Sequence, residues 1–135
     1  NENENFKRVK IRKLIKTLKS DGLDTEKLKL TIKNLKHANE SIKFYTKKNI
    51  LNNSRSFNKN KSILLNKEFF DQPEEVVFRS LTEIIKIVGK KYYPVRGKKI
   101  VKIIQSIKDN NFFKITLGNC LIRKVNDTII ISKER

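Results

Sequence analysis

Apolar residues recur at helical spacing in the first part of the chain. Between residues 6 and 19 they fall three and four positions apart, on one helix face: Ile11, Leu14, Ile15 and Leu18. Asp21-Gly22 is typical of a helix end, and Asp24 can cap a second helix over residues 25 to about 48. In that helix the apolar positions repeat every seven residues: Leu28, Leu35 and Ile42. These stripes predict an antiparallel helix pair.

Two further helices are predicted in the second half of the chain. Asp71 can act as an N-cap and Pro73 suits a first turn, so a helix begins there and ends at Gly89. Its apolar stripe consists of Val77, Leu81, Ile84, Ile85 and Val88. A fourth helix spans about residues 97–108, with an inward stripe made of Ile100, Ile103, Ile104 and Ile107. Residues 92–94 form an extended link between these two helices.

Near the end the period changes to alternation, because Phe113, Ile115 and Leu117 are separated by polar or charged residues. Turn sequences at residues 118–119 and 125–127 predict a small antiparallel sheet over residues 112–133. Residues 62–65 are either a short strand or the start of a helical turn. The whole pattern indicates an α+β fold that is mostly α-helical, with helices at residues 1–48, an Asn-rich loop at 49–61 and a C-terminal domain at 62–135.

The charge balance narrows the function. Lys and Arg number 32 against 14 Asp and Glu, which gives a formal net charge of +18. Such a charge attracts polyanions, so nucleic acid is the first candidate partner and an anionic membrane surface the second. A solvated, lysine-rich surface without a partner is the third explanation. No apolar run approaches the ~18 residues of a membrane span.

Catalytic signatures are missing from the sequence. One Cys and one His exclude an internal disulfide and a zinc cluster, and the four separate Gly form no phosphate-binding loop. His37 lies in the middle of a predicted helix and Cys120 in a predicted strand, where a solvated His and a buried, inert thiol are expected. We therefore expect a binding module without catalytic residues or a metal site. The absence of a secretion signal favours the cytosol.

Several short motifs follow one another in a recognisable order. Asn1 precedes an aromatic, Phe6, and an Arg-x-x-Ile-Arg sequence that starts at Arg8 and ends at Arg12. Further segments are Phe78-Arg79-Ser80-Leu81 through Ile87-Val88-Gly89, Tyr93-Pro94-Val95-Arg96-Gly97-Lys98, Thr116-Leu117-Gly118-Asn119-Cys120-Leu121-Ile122 and the terminal residues 127–134. This ordered set resembles the tRNA(Ile)-lysidine synthases, in particular an alphaproteobacterial branch. Val9 departs from the pattern, since many members have Asn there.

The resemblance implies that the chain is the C-terminal part of such an enzyme, and the absence of Met, even at position 1, fits a piece of a longer or processed protein. The family uses ATP to adenylate C2 of the wobble cytidine in a tRNA(Ile) with a CAU anticodon, and L-lysine then displaces AMP. The implied N-terminal domain, with its Ser-Gly-Gly-x-Asp-Ser loop, would bind ATP and Mg. The chain alone is expected to be inactive. The full enzyme is expected to be cytoplasmic and not to contact a membrane, and a homodimer is one possible state of it.

The same resemblance, together with the charge pattern, selects candidate tRNA contacts: Arg8, Lys10, Arg12, Lys13, Arg79, Arg96 and Lys98. Asn1 would lie at the edge of the active site. For Arg8 and Arg12 the alternative is a salt bridge to the absent domain, and for Arg79 it is pairing with a Glu on its own helix. Tyr92 and Tyr93 could stack on bases, with packing into the core as the alternative.

Two functions from other classes remain open on the sequence. The first is a stand-alone basic architectural protein that binds DNA or RNA without sequence preference. The second is a peripheral membrane or scaffold module built on basic amphipathic helices. Preference for tRNA over duplex DNA would argue against the first, and failure to sediment with liposomes would argue against the second.

Overall fold

The computed structural model describes residues 2–57 and 62–135, and within them it contains four α-helices, one 3-10 helix and five strands. The helices are α1 (Glu2–Ser20), α2 (Thr25–Asn53), α3 (Glu74–Gly89) and α4 (Gly97–Lys108). The strands are β1 (Ser54–Phe57), β2 (Ser62–Leu65), β3 (Lys114–Leu117), β4 (Cys120–Val125) and β5 (Thr128–Lys133), and the 3-10 helix is Lys67–Phe70. The predicted α+β, mostly helical fold is confirmed. The chain divides into two compact units, one up to Glu40 and one from Ser41 onward, while the predicted domain limits at 48 and 61 stay predictions.

The first unit consists of α1, a turn and the part of α2 up to Glu40. The turn after α1 requires Gly22, whose φ of +102° is a conformation that other residues disfavour. Asp24 then caps α2 as predicted, because its Oδ1 accepts a hydrogen bond from the Glu26 backbone N–H at 2.9 Å. The apolar positions predicted to meet between the helices are each at least 41% exposed: Ile11, Leu14, Ile15, Leu18, Leu28 and Leu35. The expected seam is therefore not buried, since two single helices lack the further layer that would enclose it.

The second unit is a sheet covered on one face by two helices. All strand pairs are antiparallel, and the strand order is β1-β2-β5-β4-β3. The helical side of the core contains the predicted stripes of α3 and α4: Val77, Leu81, Ile84, Ile85, Val88, Ile100, Ile103, Ile104 and Ile107. The strand residues of this core are Leu65, Leu117, Cys120, Ile122, Ile129 and Ile131. Burial of each such side chain stabilises the fold by about 1.5–3 kcal/mol, so this core fixes the positions of the connecting loops.

The segment predicted as a loop, residues 49–61, differs most from expectation. Residues 49–53 continue α2 and β1 follows at once, whereas residues 58–61 lie outside the described part of the chain. Asn49 Nδ2 donates hydrogen bonds to the carbonyl of Phe69 at 3.2 Å and to Ser80 Oγ at 3.1 Å. Asn53 Nδ2 donates in turn to Asn49 Oδ1 at 2.9 Å. Asn49 thus bonds to distant groups inside the unit, and Asn53 bonds back to Asn49 along the same helix. Because neither side chain forms a local turn with the backbone, the segment stays helical.

The start of α3 also differs in detail. Asp71, predicted as its N-cap, instead ends the 3-10 helix, where its backbone N–H donates to the Glu68 carbonyl at 3.3 Å. The N-cap position of α3 is Pro73, which makes no side-chain capping hydrogen bond. Its ring holds φ at −51°, so the chain enters the helix without a polar cap. Residues 62–65 form a strand, which was one of the two expected alternatives.

Candidate nucleic-acid interface

Two exposed tyrosines and five cations lie together in residues 90–99, here termed the basic–aromatic segment. The cations are Lys90, Lys91, Arg96, Lys98 and Lys99, all of them exposed. Tyr92 and Tyr93 are 83% and 76% exposed, and their rings meet edge to face with 4.9 Å between centroids. No Asp or Glu occurs between Gly89 and Lys108. The two rings therefore lie in solvent, surrounded by positive charge, and do not pack into the core.

The turn between β3 and β4 packs closely against the start and the middle of the basic–aromatic segment. A Cβ placed on Gly89 would lie 1.9 Å from the carbonyl oxygen of Gly118, in the turn between β3 and β4. Asn119, in the same turn, donates from Nδ2 to the Gly89 carbonyl at 3.4 Å. Gly118 has a φ of +59°, and a Cβ there would lie 2.6 Å from Val95 Cγ1. The sheet turn thus contacts the residue before the segment and Val95 within it.

The segment runs directly into the first turn of α4. Arg96 occupies the N-cap position with an extended backbone and makes no side-chain capping hydrogen bond. Lys98 and Lys99 follow, and the first turn contains no acidic residue. Cations oppose the positive end of a helix dipole, so this arrangement is unfavourable in isolation and becomes favourable when an anion binds at the helix start. Two of the predicted contacts, Arg96 and Lys98, lie here.

Arg79 lies on α3, outside the basic–aromatic segment. Its Nε lies 2.8 Å from Glu75 Oε1, and the two side chains are 33% and 54% exposed. This is the pairing within one helix that the sequence offered as its alternative. A surface ion pair contributes only about 0–1 kcal/mol, so it would not by itself prevent Arg79 from contacting a phosphate.

The other predicted contacts lie on α1, in the first unit. They are the exposed residues Arg8, Lys10, Arg12 and Lys13. Lys10 Nζ lies 4.6 Å from the centroid of the Phe6 ring, a cation–π contact. Among the described side chains, neither Arg8 nor Arg12 forms an ion pair. Asn1, predicted at an active-site edge, lies outside the described residues.

Cys120 is a structural residue. Its side chain is fully buried, and Sγ donates to the Ile85 carbonyl at 3.3 Å. Burial, assisted by the charge of Glu134, raises the pKa of Cys120 to about 11. The thiol is therefore protonated near neutral pH and a poor nucleophile, as expected from the sequence. His37 lies on the exposed surface of α2.

The side chains described, those of residues 6–57 and 62–135, include no three His, Cys, Asp or Glu that converge to hold a metal ion. None of the helices in these residues combines the length and apolar character needed to cross a membrane.

Comparison with known proteins finds two similar enzymes. The chain is 28% identical over 136 residues to a tRNA(Ile)-lysidine synthase from Wolbachia sp. subsp. Brugia malayi (strain TRS). It is also 28% identical over 136 residues to a tRNA(Ile)-lysidine synthase from Wolbachia pipientis wMel, and each alignment covers 99% of the chain. The chain is therefore similar in sequence to two tRNA(Ile)-lysidine synthases. It spans 31% of the length of each of these two proteins. No protein-family model and no solved structure matches it.

Several residues in the motifs that resemble the lysidine synthases have structural roles here. Gly89, Gly118 and Asn119 position the basic–aromatic segment, and Cys120 belongs to the core. Three exposed cations of the segment were not among the predicted contacts: Lys90, Lys91 and Lys99. The sequence did contain a signal for them, since they flank two tyrosines in a stretch without any acid.

Proposed function

We propose that this chain is the C-terminal, tRNA-binding region of a tRNA(Ile)-lysidine synthase. The observation that carries the proposal is the similarity to the two Wolbachia enzymes across 99% of the chain. Because the match covers 31% of their length, most of such an enzyme would lie outside this chain. The net charge of +18 and the exposed Tyr92 and Tyr93 support RNA as the partner.

Under this proposal the full enzyme uses ATP and Mg²⁺ to activate C2 of the wobble cytidine in a tRNA(Ile) with a CAU anticodon. L-lysine then forms lysidine, which changes decoding from AUG to AUA. The residues of this chain do not fit an ATP site, because its four Gly are scattered and its described side chains form no metal cluster. We therefore assign ATP and Mg²⁺ to the rest of a cytoplasmic enzyme and expect the chain alone to be inactive. A homodimer stays an expectation.

The role of this chain would be to hold the tRNA. A reacting base must be positioned within a fraction of an ångström, which requires anchoring contacts elsewhere on the RNA. Lys and Arg side chains of the basic–aromatic segment would neutralise phosphates and release counterions, while Tyr92 or Tyr93 stacks on an unpaired base. The four cations of α1 would supply a second set of phosphate contacts: Arg8, Lys10, Arg12 and Lys13.

Binding of the chain to an unmodified tRNA(Ile) transcript across a salt series tests this proposal. We expect log K to fall linearly with log salt, by about 0.7–0.9 per neutralised phosphate. Duplex DNA with the same number of phosphates is the control, and it should bind more weakly at physiological salt. Equal affinity for the two would favour the stand-alone architectural protein, and absence of RNA binding in dilute buffer would contradict the proposal.

A further inference from the structure

We propose that the sheet face opposite the helices is a second RNA-binding surface, which contacts the sugar–phosphate backbone. This inference rests on the proposed function, because it takes the same RNA as the partner. It comes from the strand register, which brings three cations from three separate strands into one row. The basic–aromatic segment plays no part in that row.

The register places five residues side by side across the sheet, here termed the outer row: Arg55, Leu64, Ile130, Arg123 and Lys114. Directly paired residues in antiparallel strands point to the same face. Arg55 therefore lies at the β1 edge of the row, and Arg123 and Lys114 lie together at the β3 edge. Arg55 and Arg123 are three strand spacings apart, about 14–15 Å.

The outer row lies on the face that α3 and α4 leave open. The core residues Ile122 and Ile131 alternate along their strands with Arg123 and Ile130, so the outer row must point away from the core. Leu64 and Ile130 are only half-buried and are not part of the core cluster. The three cations at the ends of the row are exposed. A ligand can therefore reach them from solvent.

The outer row and the row beside it on the same face contain cations and no acid. The neighbouring row of paired residues is polar or apolar and contains no acid: Thr116, Leu121, Ser132, Ser62 and Phe57. Among the described side chains, those of residues 6–57 and 62–135, no ion pair involves Arg55, Lys114 or Arg123. Lys114 and Arg123 are directly opposite each other, so they repel in the free protein, and a bound phosphate would relieve that repulsion.

The composition of the face favours RNA over a lipid surface. Membrane binding by an amphipathic surface requires a broad set of exposed apolar side chains to insert among the lipids. Here the aliphatic side chains between the cations are half-buried, and only the charged ends of the row are exposed. Hydroxyl groups of Thr116 and Ser132 in the neighbouring row could bond to phosphate oxygens or a ribose 2′-OH.

A charge-removal variant of the whole 135-residue chain tests the inference. Arg55→Gln, Lys114→Gln and Arg123→Gln are combined, and binding to labelled tRNA(Ile) transcript is measured across a salt series. We expect roughly tenfold weaker binding or more in dilute buffer, and a salt slope smaller in magnitude by about 1–3. The matched control removes three exposed lysines from the helices, Lys43→Gln, Lys47→Gln and Lys108→Gln. Its affinity should change by less than about threefold, since long-range charge alone is screened by salt.

Further outcomes separate this inference from the proposed function. If Tyr92→Ala/Tyr93→Ala weakens tRNA binding while the sheet variant binds like its control, the inference is wrong and the proposed function stands. If the unaltered chain does not bind tRNA, both are wrong. Loss of binding to phosphatidylserine vesicles, with tRNA binding intact, would assign the face to a membrane and overturn the inference. If circular dichroism shows that the triple variant is unfolded, the single variants Arg55→Gln and Arg123→Gln replace it. Each should then reduce the magnitude of the salt slope of tRNA binding by about 1, and an unchanged slope in both would overturn the inference.

Discussion

Gly89 and Gly118 approach so closely that a Cβ on Gly89 would lie 1.9 Å from the Gly118 carbonyl oxygen. This contact joins the end of α3 to the turn between β3 and β4. Gly89→Ala should therefore destabilise the fold by about 2–4 kcal/mol, because backbone and not a flexible side chain must move. Urea unfolding measures the loss, and tRNA affinity should fall with it as the basic–aromatic segment is displaced.

Gly97→Ala is the matched control for that substitution. Its Cβ would meet the edge of the Phe78 ring at 3.3 Å, a contact that a small movement of the ring can relieve. Ala is also the better helix former, so the free energy of unfolding should stay within about 1 kcal/mol of the original. Similar losses in the two variants would show that the Gly89–Gly118 contact has no special importance.

Asn49 should be one of the most sensitive polar positions in the chain. Asn49→Ala leaves the Phe69 carbonyl and Asn53 Nδ2 without the partners they have now. Since unsatisfied buried polar groups cost about 1–3 kcal/mol, we expect a loss of about 2–3 kcal/mol in urea unfolding. Asn52→Ala, on the exposed side of the same helix, should change stability by less than about 0.5 kcal/mol. A reversed order would contradict the structural role of Asn49.

Tyr92 and Tyr93 should matter for binding and not for stability. The double substitution Tyr92→Ala/Tyr93→Ala removes rings that are at least 76% exposed, so the unfolding midpoint should hardly change. Base stacking contributes about 1–3 kcal/mol per base, which corresponds to roughly 5- to 150-fold in tRNA affinity. Phe113→Ala removes a ring that is 80% exposed elsewhere and should leave affinity unchanged. Equal effects of the two variants would contradict a specific role for the tyrosines.

Cys120 should make the stability depend on alkaline pH. Burial raises its pKa from 9.0 to about 11 in the folded chain. Between these values the unfolded chain has released a proton that the folded chain retains, so stability falls as pH rises from 9.0 to about 11. The loss is at most about 2–3 kcal/mol. Cys120→Ala has no thiol to titrate, so the difference in unfolding free energy between the two proteins should change over this pH range. Parallel pH profiles of the two proteins would contradict a raised pKa of Cys120.

Elements with a strong local pattern could be predicted from the sequence. α4 was expected at residues 97–108 and lies there, because four isoleucines at helical spacing all face one core. The end of α2 could not be predicted, since the partners of Asn49 lie 20 and 31 residues away. β1 was missed for a related reason: its sequence, Ser-Arg-Ser-Phe, becomes a strand by pairing with β2.

The candidate interface was predictable in charge and only partly in geometry. The sequence identified Arg96 and Lys98, and it offered pairing of Arg79 with Glu75 or Glu83, of which the structure forms the pair with Glu75. Whether Tyr92 and Tyr93 were covered depended on how α3 and α4 pack, which no local pattern reports. The outer row required the strand register, and its residue Arg55 fell in the segment expected to be a loop.

The stretch from Gly89 to Lys108 contains no carboxylate to offset its positive charges. Mutual repulsion among these groups raises the free energy of the unliganded fold, and mobile ions in the buffer weaken that repulsion. Sodium chloride should therefore act in two opposite directions on the same protein. It would raise the free energy of unfolding of the free chain and lower its affinity for RNA. The salt concentration at which the chain is most stable would then be the one at which it binds RNA most weakly.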